Sequence, residues 1–268
     1  MKKYVNQDCS ELRKLLEEDK VPYAVLYRII EGGITVITDH KRIIISYSGT
    51  NIYPIWVWTA KDVTKNELEL IYETLKTEFE PLSDYKINTR YDIADYLIKR
   101  INEDGGKFKA LVNINSYECP APKKPKEAVD GTGGRLAKDE VELAARLIRE
   151  AADAISGLDV SEEESIERAK ELLDNQSLFV WRNSEGKAVS FCEKRFESDE
   201  YAAVSECYTV EEERGKHYAG WLINQVCKEI ISDGKIPVLY ADADYVSSNR
   251  CYQNIGFVLN SKLVTIGE

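Results

Sequence analysis

One segment near the middle of the chain limits the possible folds more than any other stretch. Cys119–Gly134 reads CPAPKKPKEAVDGTGG and holds three prolines and three glycines, a composition that disfavours both a helix and a central strand. We interpret residues 119–134 as a linker between two domains, residues 1–118 and residues 135–268. The length of 268 residues suits two domains of ordinary size.

Charge and composition exclude several classes of protein. Residues 1–120 hold 17 basic and 19 acidic side chains, a net charge of −2, and residues 121–268 hold 19 and 28, a net charge of −9. This acidic balance argues against nonspecific nucleic-acid binding. No apolar run could span a bilayer and no signal peptide is recognisable, so we expect no membrane association. Six scattered cysteines and two histidines predict reduced thiols, a cytoplasmic location and no metal site.

Alternating helix and strand patterns predict an α/β (α+β) protein. Each half has the same element order, helix, strands, helix, strand, helix, strand, although the second half begins with two helices. Without a residue-by-residue repeat, two unrelated α/β domains remain the alternative. The first half is predicted as helices Ser10–Glu18, Lys65–Phe79 and Tyr91–Asn102 and strands Pro22–Ile30, Ile34–Thr38, Arg42–Ser48, Tyr53–Thr59, Tyr85–Asn88 and Lys107–Ser116. The second half is predicted as helices Ala137–Ile155, Ser161–Leu173, Gly215–Ser232 and Ser247–Asn254 and strands Ser177–Arg182, Ala188–Arg195, Tyr201–Val210, Ile236–Ala241 and Phe257–Ile266.

A strand–loop–helix junction in the second half is the first candidate site. Glu206–Gly220 reads ECYTVEEERGKHYAG, a strand followed by a loop that opens into a helix. The first amides of a helix lack internal partners and lie at the positive end of its dipole, so the junction predicts an anion site, typically for phosphate. Arg214 and Lys216 add positive charge. The alternative is an ordinary helix start with two solvated cations.

A second segment points to the same edge of the sheet. Tyr240–Phe257 reads YADADYVSSNRCYQNIGF, and Asn249 and Tyr252 lie three residues apart on one face of a short predicted helix. This helix follows the carboxyl end of a strand, where open α/β sheets bind ligands. The alternative for Tyr252 is a packed aromatic ring with a satisfied hydroxyl.

Together these segments resemble the GNAT superfamily of acetyl-CoA-dependent N-acetyltransferases. The loop RGKHYA, Arg214–Ala219, resembles the family pattern [Q/R]-x-x-G-x-[G/A], and SSNRCYQNIGF, Ser247–Phe257, resembles the family's asparagine–tyrosine helix with its following G-F. The resemblance covers about residues 135 to 268 and implies a mixed, splayed GNAT-type sheet flanked by helices. Residues 1–118 lack both motifs, so we predict a GNAT-like non-catalytic domain there and a tandem of two such halves.

The resemblance also implies an activity and a set of site residues. It implies an acyltransferase that uses acetyl-CoA as co-substrate and a small primary amine as acceptor, with no metal and with direct attack by the neutral amine. Tyr252 would protonate the departing thiolate as the catalytic residue. The implied cofactor-binding residues are Cys207, Tyr208, Thr209, Arg214, Gly215, Lys216, His217, Tyr218, Ala219, Asn249 and Tyr252.

Two departures from the family pattern keep a second function open. His217 replaces the first pattern glycine of the loop, and the glutamate base of some members is matched here by Ala203. Strand alternation places Glu206 on the face opposite Ala203 and Cys207, so we assign no base. A non-catalytic acetyl-CoA- or CoA-binding sensor or scaffold module is therefore the alternative. The first half is expected to shape a substrate cleft or a homodimer contact.

Overall fold

The computed structural model describes residues 1–32 and 35–268. The chain divides into two compact units. The first comprises Met1–Tyr117, Tyr240–Val246 and Leu259–Glu268, and the second comprises Glu118–Leu239 and Ser247–Val258. Each unit contains a mixed sheet with helices packed on it, which confirms the predicted α/β (α+β) class.

The first unit is built around strands β1 to β6 and the end of the chain. In order along the sheet its strands are β1 (Lys2–Val5), β2 (Thr35–Thr38), β3 (Ile43–Tyr47), β4 (Ile55–Thr59), β5 (Ile87–Thr89), β12 (Val258–Gly267) and β6 (Lys109–Glu118). Its helices are a 3-10 helix at Ser10–Leu16, α1 (Ala24–Gly32), α2 (Lys65–Glu78), a 3-10 turn at Leu82–Asp84 and α3 (Tyr91–Glu103). The predicted strand 34–38 begins at Ile34, which lies outside the described residues.

Alternation along the strands gives this unit a core on each face of its sheet. Ile55 and Val57 of β4 join the cluster beneath α2 and α3, whereas Trp56 and Trp58 join the cluster with the 3-10 helix and α1. Both tryptophans are buried, and the indole of Trp58 donates to Asp19 Oδ2 at 3.0 Å. The two indoles therefore serve as core.

The last strand of the chain lies in the first unit. β12 pairs antiparallel with β5, with Val264 opposite Thr89, and the hydroxyl of Thr265 donates to Asn88 Oδ1 at 2.7 Å. The two compact units therefore do not coincide with the predicted domains 1–118 and 135–268. The first unit includes Leu259–Glu268 from the end of the chain, so no single boundary in the sequence separates the two units. A local residue pattern predicts a strand but does not identify its pairing partner.

The second unit carries strands β7 to β11 and helices α4 to α7. In order along the sheet its strands are β11 (Ile236–Asp242, with Ile236–Leu239 in this unit), β10 (Tyr201–Thr209), β9 (Ala188–Phe196), β8 (Leu178–Arg182) and β7 (Thr132–Arg135). Its helices are α4 (Val141–Ser156), α5 (Glu162–Asp174), a 3-10 turn at Glu211–Glu213, α6 (Tyr218–Ser232) and α7 (Val246–Ile255). β10 pairs antiparallel with β9 and parallel with β11.

The predicted linker is part of the second unit and does not act as a free connector. Its end forms β7, which pairs antiparallel with β8. A Cβ at Gly133 would lie 2.1 Å from Gln225 Oε1 and 2.9 Å from the Trp181 ring, so only glycine allows β7 to approach so closely. Proline and glycine exclude a helix here, but they do not prevent an extended chain from packing at a sheet edge.

Among the helices of the described residues, none is both long and apolar enough to cross a lipid bilayer.

Candidate active site

The parallel strands β10 and β11 pair only over the first three residues of β10. Their pairing joins Tyr201–Ala203 to Ile236–Val238, and β10 then continues to Thr209 while paired with β9 on its other edge. Within the described part of the chain, no β11 partner is assigned to β10 after Ala203. The separation leaves the backbone edge of residues 204–209 available to hydrogen-bond an extended ligand as a strand would.

A β-bulge lies on the same stretch of β10. The register against β9 shifts between Ser205 and Tyr208, and Glu206 adopts a positive φ of 50°. A bulge adds a residue to one strand and breaks the alternation of its side chains. The alternation of side chains between the two sheet faces is therefore not continuous from Ser205 to Tyr208.

The bulge turns Glu206 toward the face that carries Ala203. Ser205, which lies two residues after Ala203, is opposite Glu193, and its hydroxyl donates to Glu193 Oε2 at 3.4 Å. The charges that act on Glu206 are those of Glu193, Arg168 and Arg195, so Glu206 shares this face. The prediction that Glu206 lies opposite Ala203 was wrong because it assumed regular alternation through residues 203–207.

Glu206 combines solvent access with a raised pKa. The residue is exposed to solvent. Partial desolvation by the surrounding protein atoms, followed by the negative charge of Glu193, nevertheless raises the pKa of its carboxyl group. The positive charges of Arg168 and Arg195 lower the pKa of Glu206, but by less than the other two effects raise it. Arg168 Nη2 also lies 3.4 Å from both carboxylate oxygens of Glu193. The arrangement holds a carboxylate that takes up a proton more readily than an isolated glutamate.

The opposite face of β10 carries a thiol and phenol cluster. The thiol of Cys207 donates to the carbonyl of Ser205 at 3.9 Å and is close enough to Cys192 of β9 and to the hydroxyl of Tyr252 on α7 to raise the pKa of both groups. Burial, followed by the neighbouring thiols Cys207, Cys251 and Cys192, raises the pKa of Tyr252 well above its usual value. The phenol therefore keeps its proton at neutral pH.

The loop before α6 turns twice through the left-handed region. Gly215 has a φ of 79° and His217, the N-cap residue, has a φ of 68°. Within the described residues, no side chain caps this helix, and no backbone acceptor is found for the amides of residues 215–217. A helix start of this kind offers its amides and the positive end of its dipole to an anion.

The loop's charged side chains are engaged locally. Arg214 Nε donates to the carbonyl of Thr209 at 3.1 Å, and Lys216 Nζ lies 2.7 Å from Glu213 Oε2. The ring of half-buried Tyr208 makes an edge-to-face contact with the Phe191 ring. The hydroxyl of Thr209 lies 3.0 Å from the hydroxyl of Ser190. Anion binding at this junction would therefore depend on backbone amides more than on the two cations.

Asn249 and Tyr252 lie on α7, as the sequence predicted. Asn249 is buried, with 8% of its surface exposed. Tyr252 is partly exposed, and its ring centroid lies 6.0 Å from that of Phe257. The structure thus places Tyr252 beside Cys207 of β10.

Known proteins resemble this chain in part of its sequence and in its fold. Residues 182–265 match the family model described as FR47-like protein. Chains in solved structures match almost the whole length, including a GNAT-family acetyltransferase from Colwellia psychrerythraea (14% identity, TM-score 0.61, 99% of this chain and 98% of that one). A Drosophila protein (12%, 0.72, 98% and 97%) and a GCN5-related N-acetyltransferase from Kribbella flavida (12%, 0.62, 98% and 96%) match similarly. No significant match was found among curated protein sequences.

The chain has a tandem GNAT-like fold.

In the first GNAT-like half, the helix that follows β4 begins differently from α6. The hydroxyl of Thr64 accepts from the amide of Glu67, and the Glu67 carboxylate accepts from the amide of Thr64. Arg42 and this capping lower the pKa of Glu67 to about 2. A carboxylate thus occupies the start of α2, where it would repel a phosphate.

The sequence pattern does not indicate that Glu206 lies on the same face of β10 as Ala203. The bulge that places it has no glycine or proline that would mark it in the sequence. The available signal was the glutamate itself, three residues after the position that matches the base of some GNAT proteins. Only the register with β9 shows which face it takes.

Proposed function

We propose that the second half is an N-acetyltransferase that moves an acetyl group from acetyl-CoA to a primary amine by direct attack. The observation that carries this proposal is the end of the pairing of β10 with β11 after Ala203, followed along the chain by a start of α6 that no side chain of the described residues caps. That combination supplies a strand edge for an extended amide-containing chain and a helix terminus for a diphosphate. CoA carries both groups in one molecule.

Cofactor binding is assigned to the backbone of β10 and the loop. The main chain of Cys207 and Thr209 would hydrogen-bond the thioester carbonyl and the pantetheine amides, and the amides of Gly215–Ala219 would hold the diphosphate. Asn249 would reach the pantetheine arm. His217 is compatible with this role, because its positive φ satisfies the conformation that glycine usually supplies.

Glu206 is proposed as the proton acceptor for the amine. An alkylammonium must lose a proton before its nitrogen can attack, and a carboxylate with a raised pKa is suited to receive it. Glu206 is accessible to solvent on the face of β10 opposite Cys207. The amine and the cofactor thiol would then approach the strand edge from opposite sides.

Tyr252 is proposed as the proton donor for the thiolate. The amine nitrogen forms a bond to the acetyl carbon, the carbon–sulfur bond breaks, and CoA leaves as a thiolate. Tyr252 donates its proton to that sulfur, and the nitrogen releases its second proton through water to the Tyr252 phenolate, so the products are the neutral N-acetylated amine and CoA thiol and the phenol is restored. No cysteine of the chain forms a covalent bond in this sequence.

The alternative is a non-catalytic sensor or scaffold that binds acetyl-CoA or CoA. Exposed His217 at the start of α6 favours it, because a side chain at this position approaches the diphosphate. Turnover separates the two functions, since a sensor binds acetyl-CoA without releasing thiol. The cytoplasmic location and the capacity to form a homodimer stand as parts of the proposal.

The Tyr252→Phe variant tests the catalytic proposal. We expect turnover to fall by about 10²-fold, the scale of a lost general acid, while the affinity for acetyl-CoA stays nearly unchanged because the proton is needed only in the transition state. The assay is CoA-thiol release in the presence of a panel of primary amines, with Tyr53→Phe at an exposed position as the control. The loss should shrink with acyl donors whose leaving thiol is more acidic. Full activity in Tyr252→Phe would remove this residue from the mechanism.

A further inference from the structure

A lysine-bearing segment crosses the first turns of α6. We call residues 121–130 the crossing segment. Three hydrogen bonds donated by α6 hold it in place: Trp221 Nε1 to the carbonyl of Glu127 at 2.7 Å, Tyr218 Oη to Asp130 Oδ1 at 2.5 Å and Asn224 Nδ2 to the carbonyl of Lys123 at 2.8 Å. The backbone of the segment is thereby fixed against the helix whose start is the proposed diphosphate site.

The crossing segment presents cations that are not paired with carboxylates. Lys123, Lys124 and Lys126 are exposed, and none of the three forms an ion pair with a carboxylate in the described ranges 1–32 and 35–268. Of the two acids in the segment, Asp130 is engaged by Tyr218 and by the amide of Ser184, and Glu127 is exposed. Among the described residues, three ammonium groups without a carboxylate partner therefore lie together in a half of the chain that carries a net charge of −9.

The segment places these cations close to the start of α6. Lys124 Nζ lies 5.3 Å from the centroid of the Trp221 ring, and Trp221 is the fourth residue of α6, about one helical turn from its start. Lys126 lies between Glu127, bonded to Trp221, and Pro125, whose Cγ is 3.9 Å from the position of a Cβ on Gly220. A second anionic group of a ligand seated at the helix start would reach this area.

CoA carries such a group. Its 3′-phosphate is attached to the same ribose as the diphosphate and is strongly acidic in its first ionisation, so it is anionic at neutral pH. The amides of the helix start can bind the diphosphate, but they cannot distinguish CoA from dephospho-CoA, which has the same diphosphate. Discrimination requires cations outside the helix start.

We propose that Lys124 and Lys126 of the crossing segment bind the 3′-phosphate of CoA and so select CoA over dephospho-CoA. The inference rests on the proposed function, because it takes the diphosphate to lie at the start of α6. It gives the segment a role in ligand recognition in addition to its structural one. Because α6 holds the segment through its backbone carbonyls and Asp130, removal of the two lysine side chains leaves those bonds in place.

Calorimetric titration of the full chain with CoA and with dephospho-CoA tests the inference. Wild-type protein is expected to bind CoA about tenfold more tightly, the combined effect of two partly solvated ion pairs. This preference should shrink as salt is raised, because exposed charges are screened. The Lys124→Ala, Lys126→Ala double variant should bind both ligands with the dephospho-CoA affinity of wild type.

The control is the double variant Lys170→Ala, Lys228→Ala. Both lysines are exposed in the same unit, so the variant removes the same charge from another surface and should keep the wild-type preference. Equal affinities of wild type for CoA and dephospho-CoA, or an unchanged preference in the Lys124 and Lys126 variant, would overturn the inference and leave the proposed function standing. Failure of either ligand to bind would overturn both.

Discussion

Replacing Glu206 with glutamine is expected to lower kcat by about 10² to 10⁴-fold, the range attributed to a general base. Glutamine keeps the size of the side chain but cannot accept the proton of the amine. Steady-state kinetics with acetyl-CoA and an amine substrate measure the change, and acetyl-CoA affinity should remain close to that of wild type. Glu212→Gln, at an exposed position in the 3-10 turn before the loop, is the control and should retain activity.

The pH dependence gives this variant a second readout. Because Glu206 must be ionised to act, kcat/KM of wild type should fall as the pH drops through its pKa, which lies above the usual 4.5. Its raised pKa also means that the folded state binds the proton more tightly than the unfolded state, so its contribution to stability is lost as the pH rises through that pKa. Glu206→Gln should therefore unfold at an equal or higher temperature at neutral pH. Wild-type kcat in a folded Glu206→Gln protein would contradict the assignment.

Replacing Ala219 with glutamate should weaken CoA binding by more than about 100-fold, or about 3 kcal/mol. The new side chain stands in the first turn of α6, where it adds bulk and negative charge at the proposed diphosphate site. An acid near a helix N-terminus favours the helix itself, so the fold should survive. Calorimetry measures the affinity, and the thermal midpoint verifies folding.

Ala219→Gly is the matched variant for this position. Glycine removes a methyl group without blocking the helix start, and glycine is an alternative at this position of the family pattern, so CoA affinity should be retained. If Ala219→Glu bound CoA as tightly as wild type, the diphosphate could not lie at the start of α6.

The second half was predicted well because its signals are local. Ser161 caps α5 through the reciprocal bonds with Glu164 that the S-E-E-E pattern indicates. The left-handed Gly157 follows α4, where the sequence placed the helix end. Residue types at fixed spacing produce these features, so a single sequence reveals them.

Other features depend on contacts between distant residues. The predicted strand Pro22–Ile30 was wrong, because Ala24–Gly32 forms the helix α1. Most of its apolar residues are buried, and a short apolar run of this kind does not distinguish a helix from a strand by periodicity. The edge strand β7 was missed because its glycines read as a break, whereas they allow close packing at Gly133. β12 pairs with β5 although the two strands are far apart in the sequence, so local residue patterns do not indicate this pairing.

The candidate site divides in the same way. The loop Arg214–Ala219 and the helix with Asn249 and Tyr252 carry sequence patterns, and the structure places Tyr252 beside Cys207. The side taken by Glu206 depends on a one-residue bulge, and shifting a strand by one residue exchanges its faces. Predicting that residue requires the register of β9 against β10, which sequence spacing does not supply.

Acetyl transfer to an amine is the most direct test of the proposed N-acetyltransferase activity. Full-length protein is incubated with acetyl-CoA and a panel of primary amines, and both products are quantified, CoA thiol by a colorimetric reagent and N-acetylated amine by mass spectrometry. We expect equal amounts of the two products for at least one amine, at a rate that drops in both Glu206→Gln and Tyr252→Phe. Saturable binding of acetyl-CoA with no thiol release above buffer hydrolysis for any amine would contradict it and favour the sensor.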